Sequence, residues 1–183
     1  MANITPVFKA DDSNCKSNYR PISILPSLSK VFEKLLANQI NTFFEHKFSK
    51  YLCGFRKHHS TQHALMKLLQ KWQSCLDSRG KIGTILMDLS KAFDCLPHDL
   101  LLLKLKHYGL NESALHMMES YLSNRKQCVK VGQSVSKMRN IYKGVPQGSI
   151  LEPVLFNIFI RVKMYKRTHI NSPYKRPVLG CLI

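Results

Sequence analysis

From Lys81 to Leu89 the chain reads Lys-Ile-Gly-Thr-Ile-Leu-Met-Asp-Leu, apolar almost without interruption between Ile82 and Met87. A short apolar run of this kind predicts a central β-strand covered on both faces. It ends on Asp88, a carboxylate placed where the strand emerges. Burying such a group costs several kcal/mol unless a cation or metal meets it, so Asp88 constrains whatever is built around it. A helix cap or a solvent-facing turn residue is the plainer role for an isolated strand-end Asp. Asp94 follows shortly after, beyond Lys91, Ala92 and Phe93.

The remaining segments read mostly as helix. Leu28, Phe32, Leu35, Leu36, Ile40, Phe43 and Phe44 recur at three- and four-residue steps and predict a helix over 28–47, with Ser27 or Ser29 as its cap. A connector over 48–59 carries the basic cluster Arg56, Lys57, His58 and His59. A second helix fits 60–78, opened by Ser60 or Thr61, with Leu65, Leu68, Leu69, Trp72 and Leu76 facing inward. Further helices are expected from Asp99 to about Tyr108, over 111–123 and over 150–162. Residues 1–19 read as a polar lead with a turn at 11–14, and Tyr19–Pro26 as an extended segment. Two short strands at 126–131 and 137–142 would make a hairpin around Gly132-Gln133-Ser134. The fold class that follows is α+β, helix-rich with a thin antiparallel sheet, thin enough to suggest absent strands.

Charge narrows the partner. Lys and Arg number 28 against 11 Asp and Glu, a formal net charge of +17 over 183 residues. Solvation does not require one sign in such excess, and the self-repulsion favours an anionic partner, either nucleic acid or an acidic membrane. The length suits one domain or a large part of a bigger one, and only 8 Gly and 8 Pro exclude collagen-like and low-complexity classes. The six cysteines form no CxxC pair and read as reduced core residues. Residues 1–10 lack a signal-peptide stretch, and the apolar run 150–162 is broken by Glu152, Pro153, Asn157 and Arg161. The expectation is a soluble intracellular protein, nuclear or cytoplasmic, with no membrane partner.

Four motifs then fall into one order. Met87-Asp88-Leu89-Ser90-Lys91-Ala92-Phe93-Asp94 resembles the first metal-binding motif of reverse transcriptases from non-LTR (LINE-type, jockey-like) retrotransposons. Asn18-Tyr19-Arg20-Pro21-Ile22-Ser23-Ile24-Leu25 resembles that family's early fingers motif, and Gly54-Phe55-Arg56 with Ser60-Thr61-Gln62-His63-Ala64-Leu65 its next one. Gly144-Val145-Pro146-Gln147-Gly148-Ser149-Ile150-Leu151 resembles the loop supporting template and incoming nucleotide. The resemblance covers about 18–160. It implies a partial polymerase right-hand fold, fingers and an incomplete palm, acting in the complete family member on an RNA template, a DNA primer and deoxynucleoside triphosphates.

By the same resemblance Asp88 is the first catalytic carboxylate holding Mg²⁺. One ion lowers the pKa of the primer hydroxyl while the other neutralises the triphosphate. Asp94 either meets metal or holds the backbone of its turn. Phe93 matches the aromatic under the incoming sugar, or is an ordinary core Phe. Arg20 and Arg56 fall where basic side chains meet triphosphate or template, Arg56 being the better placed. Gln147 and Gly148 match the template-supporting loop.

The pattern also breaks. No Asp occurs after Asp99, so the family's second metal motif, a hairpin with adjacent aspartates, has no counterpart here. Two-metal catalysis needs several converging carboxylates. Glu152 stands where the family usually has glycine, and its negative charge would oppose phosphate. The expected division is a polar lead at 1–17, a partial reverse transcriptase domain at 18–160 and a basic divergent tail at 161–183. The expectation is a retrotransposon fragment that does not polymerise alone. Its alternatives are a non-catalytic nucleic-acid-binding remnant and a relic with no folded role. An exposed apolar edge at 82–89 would invite aggregation.

Overall fold

The computed structural model describes residues 2–89 and 91–160, so the basic tail expected at 161–183 lies outside the described residues. A small mixed sheet lies beside a cluster of helices. Its strands are β1 (Ala2–Phe8), β2 (Tyr19–Ile24), β3 (Lys126–Val131), β4 (Ser134–Val135) and β5 (Arg139–Asn140). β1 sits between β2 and β3, antiparallel to the first (Asn3 opposite Ile24, Phe8 opposite Tyr19) and parallel to the second (Ala2 opposite Gln127, Ile4 opposite Val129). β4 and β5 both pair antiparallel with β3.

This corrects two expectations. The sheet is mixed where an antiparallel one was expected, and the segment read as a polar lead contains an interior strand. β1 holds because Ala2 and Ile4 point inward and are buried while Asn3 between them is exposed. Its hairpin partner is fixed by the loop 9–18, in which Lys9 N–H donates to Asn18 O (2.9 Å) and Tyr19 Oη donates to Ser13 O (2.8 Å). The expected strand at 137–142 is reduced to two residues of β5, and β4 arises nearer the turn, which passes through Gly132 at φ 57°.

The α-helices among the described residues are α1 (Ser27–Phe44), α2 (Thr61–Asp77), α3 (His98–His107), α4 (Glu112–Leu122) and α5 (Glu152–Ile160). Two start on the expected kind of cap. Ser60 Oγ accepts from His63 N–H (3.4 Å), and Asn111 Oδ1 accepts from Ala114 N–H (2.8 Å). α1 instead begins directly after Pro26 without a side-chain cap. The core gathers Leu36, Ile40 and Phe44 of α1, Leu101 and Leu105 of α3, Met118 and Leu122 of α4, and Leu155 and Ile158 of α5.

The helices use less of their apolar surface than their periodicity predicts. On α1 the inward stripe is Glu33, Leu36, Ala37, Ile40 and Phe44, while Leu28 is 84% exposed and Phe32, Leu35 and Phe43 also face outward. On α2 only Ala64 is buried, and the expected inward residues Leu65, Leu69 and Leu76 are exposed.

The largest correction concerns 81–89, which forms no strand. Ile85, Leu86 and Met87 are 77%, 76% and 75% exposed. A strand has no internal hydrogen bonds and needs a neighbour for its N–H and C=O groups, and no described segment pairs with this one. The apolar exposure expected for this region is present, on an irregular segment. No described helix is long and apolar enough to cross a membrane. Cys15, Cys53, Cys75, Cys95 and Cys128 are all free thiols.

One buried carboxylate ties the helices together. Glu33 on α1 accepts from Tyr121 Oη of α4 at Oε1 (2.7 Å) and from Ile150 N–H, just before α5, at Oε2 (2.8 Å). Burial pushes the Tyr121 hydroxyl up to about 12, the Arg125 cation pulling it down and the Glu33 carboxylate adding to the rise. Tyr121 therefore stays a donor across the physiological range. Glu33→Ala leaves two donors without an acceptor and should cost about 2–4 kcal/mol in urea denaturation. Ile85→Lys should change stability by less than about 0.5 kcal/mol, because the residue packs on little, yet slow aggregation measured by light scattering.

Candidate functional site

The site is assembled by three segments distant in sequence. The first is the turn following the apolar segment, where Asp94 and Cys95 N–H both donate to Lys91 O (3.0 and 3.2 Å) and Lys91 takes φ 52°. The second is the Gly/Pro loop before α5. Gly144 N–H donates to Leu96 O (2.7 Å) and Val145 N–H to Phe93 O (3.1 Å), knitting loop and turn together. His98 Nε2 donates to Gly144 O (2.7 Å), which fixes its proton on Nε2 because a carbonyl only accepts. The third is β2, whose Ser23 N–H donates to Gln147 O (2.8 Å).

Glycine at 144 is required twice over. Its φ is +84°, and a Cβ there would lie 2.7 Å from Asp94 O. The backbone clamp sets up a side-chain contact, in which Gln147 Nε2 donates to both Asp94 oxygens (3.2 and 3.4 Å). A cavity of about 520 Å³ opens beside this pair, walled by Pro21 and Ser23 of β2, by Arg125 and Gln127, and by residues 140–147.

Glu152 has a local task. Its own N–H donates to Ser149 Oγ (3.0 Å), while its Oε2 accepts from Gly148 N–H (2.6 Å). This reciprocal pattern is a capping box shifted by one residue at the start of α5. Burial pushes the Glu152 carboxyl above the usual carboxylate range, the Gly148 hydrogen bond opposes the shift, and Asp94 adds to it.

The sequence-predicted residues divide. Asp94, Gln147 and Gly148 come together. Phe93 is half-buried, its ring centroid 4.7 Å from Phe156 and 5.9 Å from Phe55, which puts it in an aromatic group against the core. Asp88 is exposed on the unpaired segment. Arg20 is exposed on β2, whose neighbours Pro21 and Ser23 line the cavity. Arg56 is engaged inside the connector, with Nη2 on Glu45 Oε1 (2.7 Å), Nη1 on Ser49 and Leu52 carbonyls (3.3 Å each), and its side chain only 9% exposed. Arg56, expected to be the better placed of the two to meet a ligand, is thus engaged within the fold, while Arg20 is exposed. Sequence reasoning missed His98, Glu33 and Asn157, whose Nδ2 donates to Gly54 O (2.9 Å). Each acts on a partner too distant in the chain for local pattern to reveal.

The donor set does not fit two divalent ions. Among the described residues no three His, Cys, Asp or Glu side chains converge. Asp94 already accepts from Gln147, and Asp88 stands apart on the irregular segment. Mg²⁺ takes near-octahedral oxygen ligands, which these residues alone do not provide.

Residues 7–168 match the family model for reverse transcriptase (RNA-dependent DNA polymerase). The chain belongs to the reverse transcriptase family. It is 35% identical over 150 residues to the probable RNA-directed DNA polymerase from transposon BS of Drosophila melanogaster, and 35% identical over 145 residues to that from its transposon X-element. It is likewise 35% identical over 144 residues to the RNA-directed DNA polymerase from mobile element jockey of Drosophila funebris. Each match covers 78% of this chain and 16% of the relative, so the chain spans about a sixth of the length of the curated relatives it matches. These relatives are polymerases of non-LTR retrotransposons.

In this reverse transcriptase chain a carboxyl held above its ordinary pKa favours its neutral form. Relative to Gln at the same position, Glu152 thus costs stability as the pH climbs past the ordinary Glu value of about 4.3. Glu152→Gln keeps an acceptor for Gly148 N–H. It should raise the melting temperature at pH 7.5 and lose that advantage near pH 4, as read by circular dichroism melts at both pH values.

Proposed function

We propose that this chain is the fingers and first part of the palm of a non-LTR retrotransposon RNA-directed DNA polymerase, with its functional core at 18–160. In the complete polymerase it would help hold an RNA template, a DNA primer and the incoming deoxynucleoside triphosphate, with Mg²⁺ as the metal. One observation carries this reading. The Gly144–Ser149 loop is clamped by backbone hydrogen bonds both to the turn bearing Asp94 and to β2, so three of the four motifs meet at one cavity. Gln147 offers an amide without adding charge, and the glycine at 148, with φ +93°, leaves the backbone open to close approach.

The role assigned to the residues is positioning. Asp94 orients Gln147, Gly144 lets the loop lie against the turn, and Phe93 supports the turn from the core side. Asp88 is the metal-binding carboxylate of the complete enzyme, and Arg20, exposed on β2, is a cation available to phosphate. Among the described residues the carboxylates needed to hold two ions do not converge, which supports the reading that this polypeptide alone does not polymerise.

A second reading, binding without catalysis, is favoured by the charge of +17, since phosphate contacts need no finished active site. Purified chain should show no Mg²⁺-dependent primer extension on an RNA template. It should nevertheless bind that primer–template with an affinity that falls steeply between 50 and about 200 mM salt. Extension that is abolished by Asp88→Ala would overturn the inactive assignment. Salt-insensitive binding, or none, would count against nucleic acid as the partner.

A further inference from the structure

The surface beyond Gln147 is more organised than the motifs require. On the far side of residues 140–142 lies a second cavity of about 460 Å³, walled by His98, Ser123, Asn124 and Lys126. The two cavities share Arg125, Asn140, Ile141 and Tyr142. Tyr142 is 79% exposed, and its hydroxyl accepts from Asn140 Nδ2 (3.1 Å), which steadies the ring from its polar end. An exposed aromatic face of this size, tethered between two polar cavities, is no part of the core.

The electrostatics around it have one sign. From Ser120 to Leu151 there is no acidic residue, while Arg125, Lys126, Lys130, Lys137, Arg139 and Lys143 all occur. Arg125 is held in place, its guanidinium 4.7 Å from the Tyr121 ring centroid and Nη1 donating to Tyr121 O (3.4 Å). Among the described residues the one carboxylate lining either cavity is Asp94, which is engaged with Gln147. A flat ring flanked by cations suits a ligand that alternates planar bases with phosphates. A duplex keeps its bases stacked inside and has no free face to offer the ring.

We propose that Tyr142 is a stacking platform for single-stranded nucleic acid, RNA or DNA, with Arg125, Lys126 and Lys143 meeting its phosphates in the cavities on either side. This rests on the reading of the chain as a nucleic-acid binder and adds a strand path leading away from the Gln147 loop. The base over Tyr142 is recognised by its π-face, so the contact is tolerant of sequence.

The test uses the full chain, with fluorescence anisotropy on labelled oligo(dT) and oligo(rU), a blunt DNA duplex, and heparin as a polyanion without bases. Tyr142→Ala should weaken oligonucleotide binding about 5- to 150-fold, the range for one base–aromatic stack. Duplex and heparin affinities should stay at the wild-type level. Tyr142→Phe should bind like wild type, and Lys143→Gln should lower the salt slope by about one for single strands. A loss confined to oligo(rU) or to oligo(dT) assigns the strand. Undiminished oligonucleotide binding by Tyr142→Ala overturns the stacking platform while leaving nucleic-acid binding intact, and an equal loss for heparin overturns it as well. Wild-type chain that binds none of the four probes overturns the nucleic-acid reading itself. The exposure of Tyr142 means that both Tyr142 variants should melt like wild type, which circular dichroism checks.

Discussion

The buried carboxylate of Glu33 decides how α1 is turned. That helix is apolar on two sides, one carrying Leu28, Phe32 and Leu35 and the other Leu36, Ile40 and Phe44. A carboxylate taken out of water needs donors, and Glu33 finds them only where Tyr121 and the Ile150 N–H approach. Satisfying it rotates the second side inward and leaves the first to solvent. The same contact fixes the residue at which the Gly/Pro loop gives way to α5. One polar group in the core thereby sets both the helix packing and the seat of the site.

From that seat outward the site is held by backbone more than by side chains. Leu96, Phe93 and Ser23 each exchange a main-chain hydrogen bond with the loop, and His98 adds a side-chain one. Such bonds tolerate changes of side chain, provided that glycine stays at 144. The carboxylates above this frame are hydrogen-bonded by uncharged donors, Asp94 by Gln147 and Glu152 by Gly148 N–H.

The sequence made some of this legible and not the rest. The helices could be read because a 3.6-residue period is a local property, and the caps at Ser60 and Asn111 are local too. The loop and turn of the site were equally visible as short motifs. Their union was not, since His98 and Gly144 are 46 residues apart and Gln147 and Asp94 are 53 apart. β1 escaped notice because its apolar alternation is brief and contains Pro6, and its parallel partner lies near residue 127. At 81–89 the apolar pattern predicted a strand that does not form, because a strand is a relation between segments and none of the described ones supplies the other half. The hold on Arg56 was not legible either, because its partner Glu45 lies eleven residues earlier, where nothing in the sequence marks it as a clamp.

The parallel pairing of β1 with β3 also sets a schedule. The first strand of the sheet leaves the ribosome long before the strand it must lie against, and roughly 120 residues separate them. At about 5–20 residues per second, synthesis of that interval takes on the order of ten seconds. During it the β1–β2 hairpin, joined by the loop 9–18, keeps open the β1 edge that β3 will occupy. Pairing of β1 with β3 must therefore wait for α1 to α4 to be made.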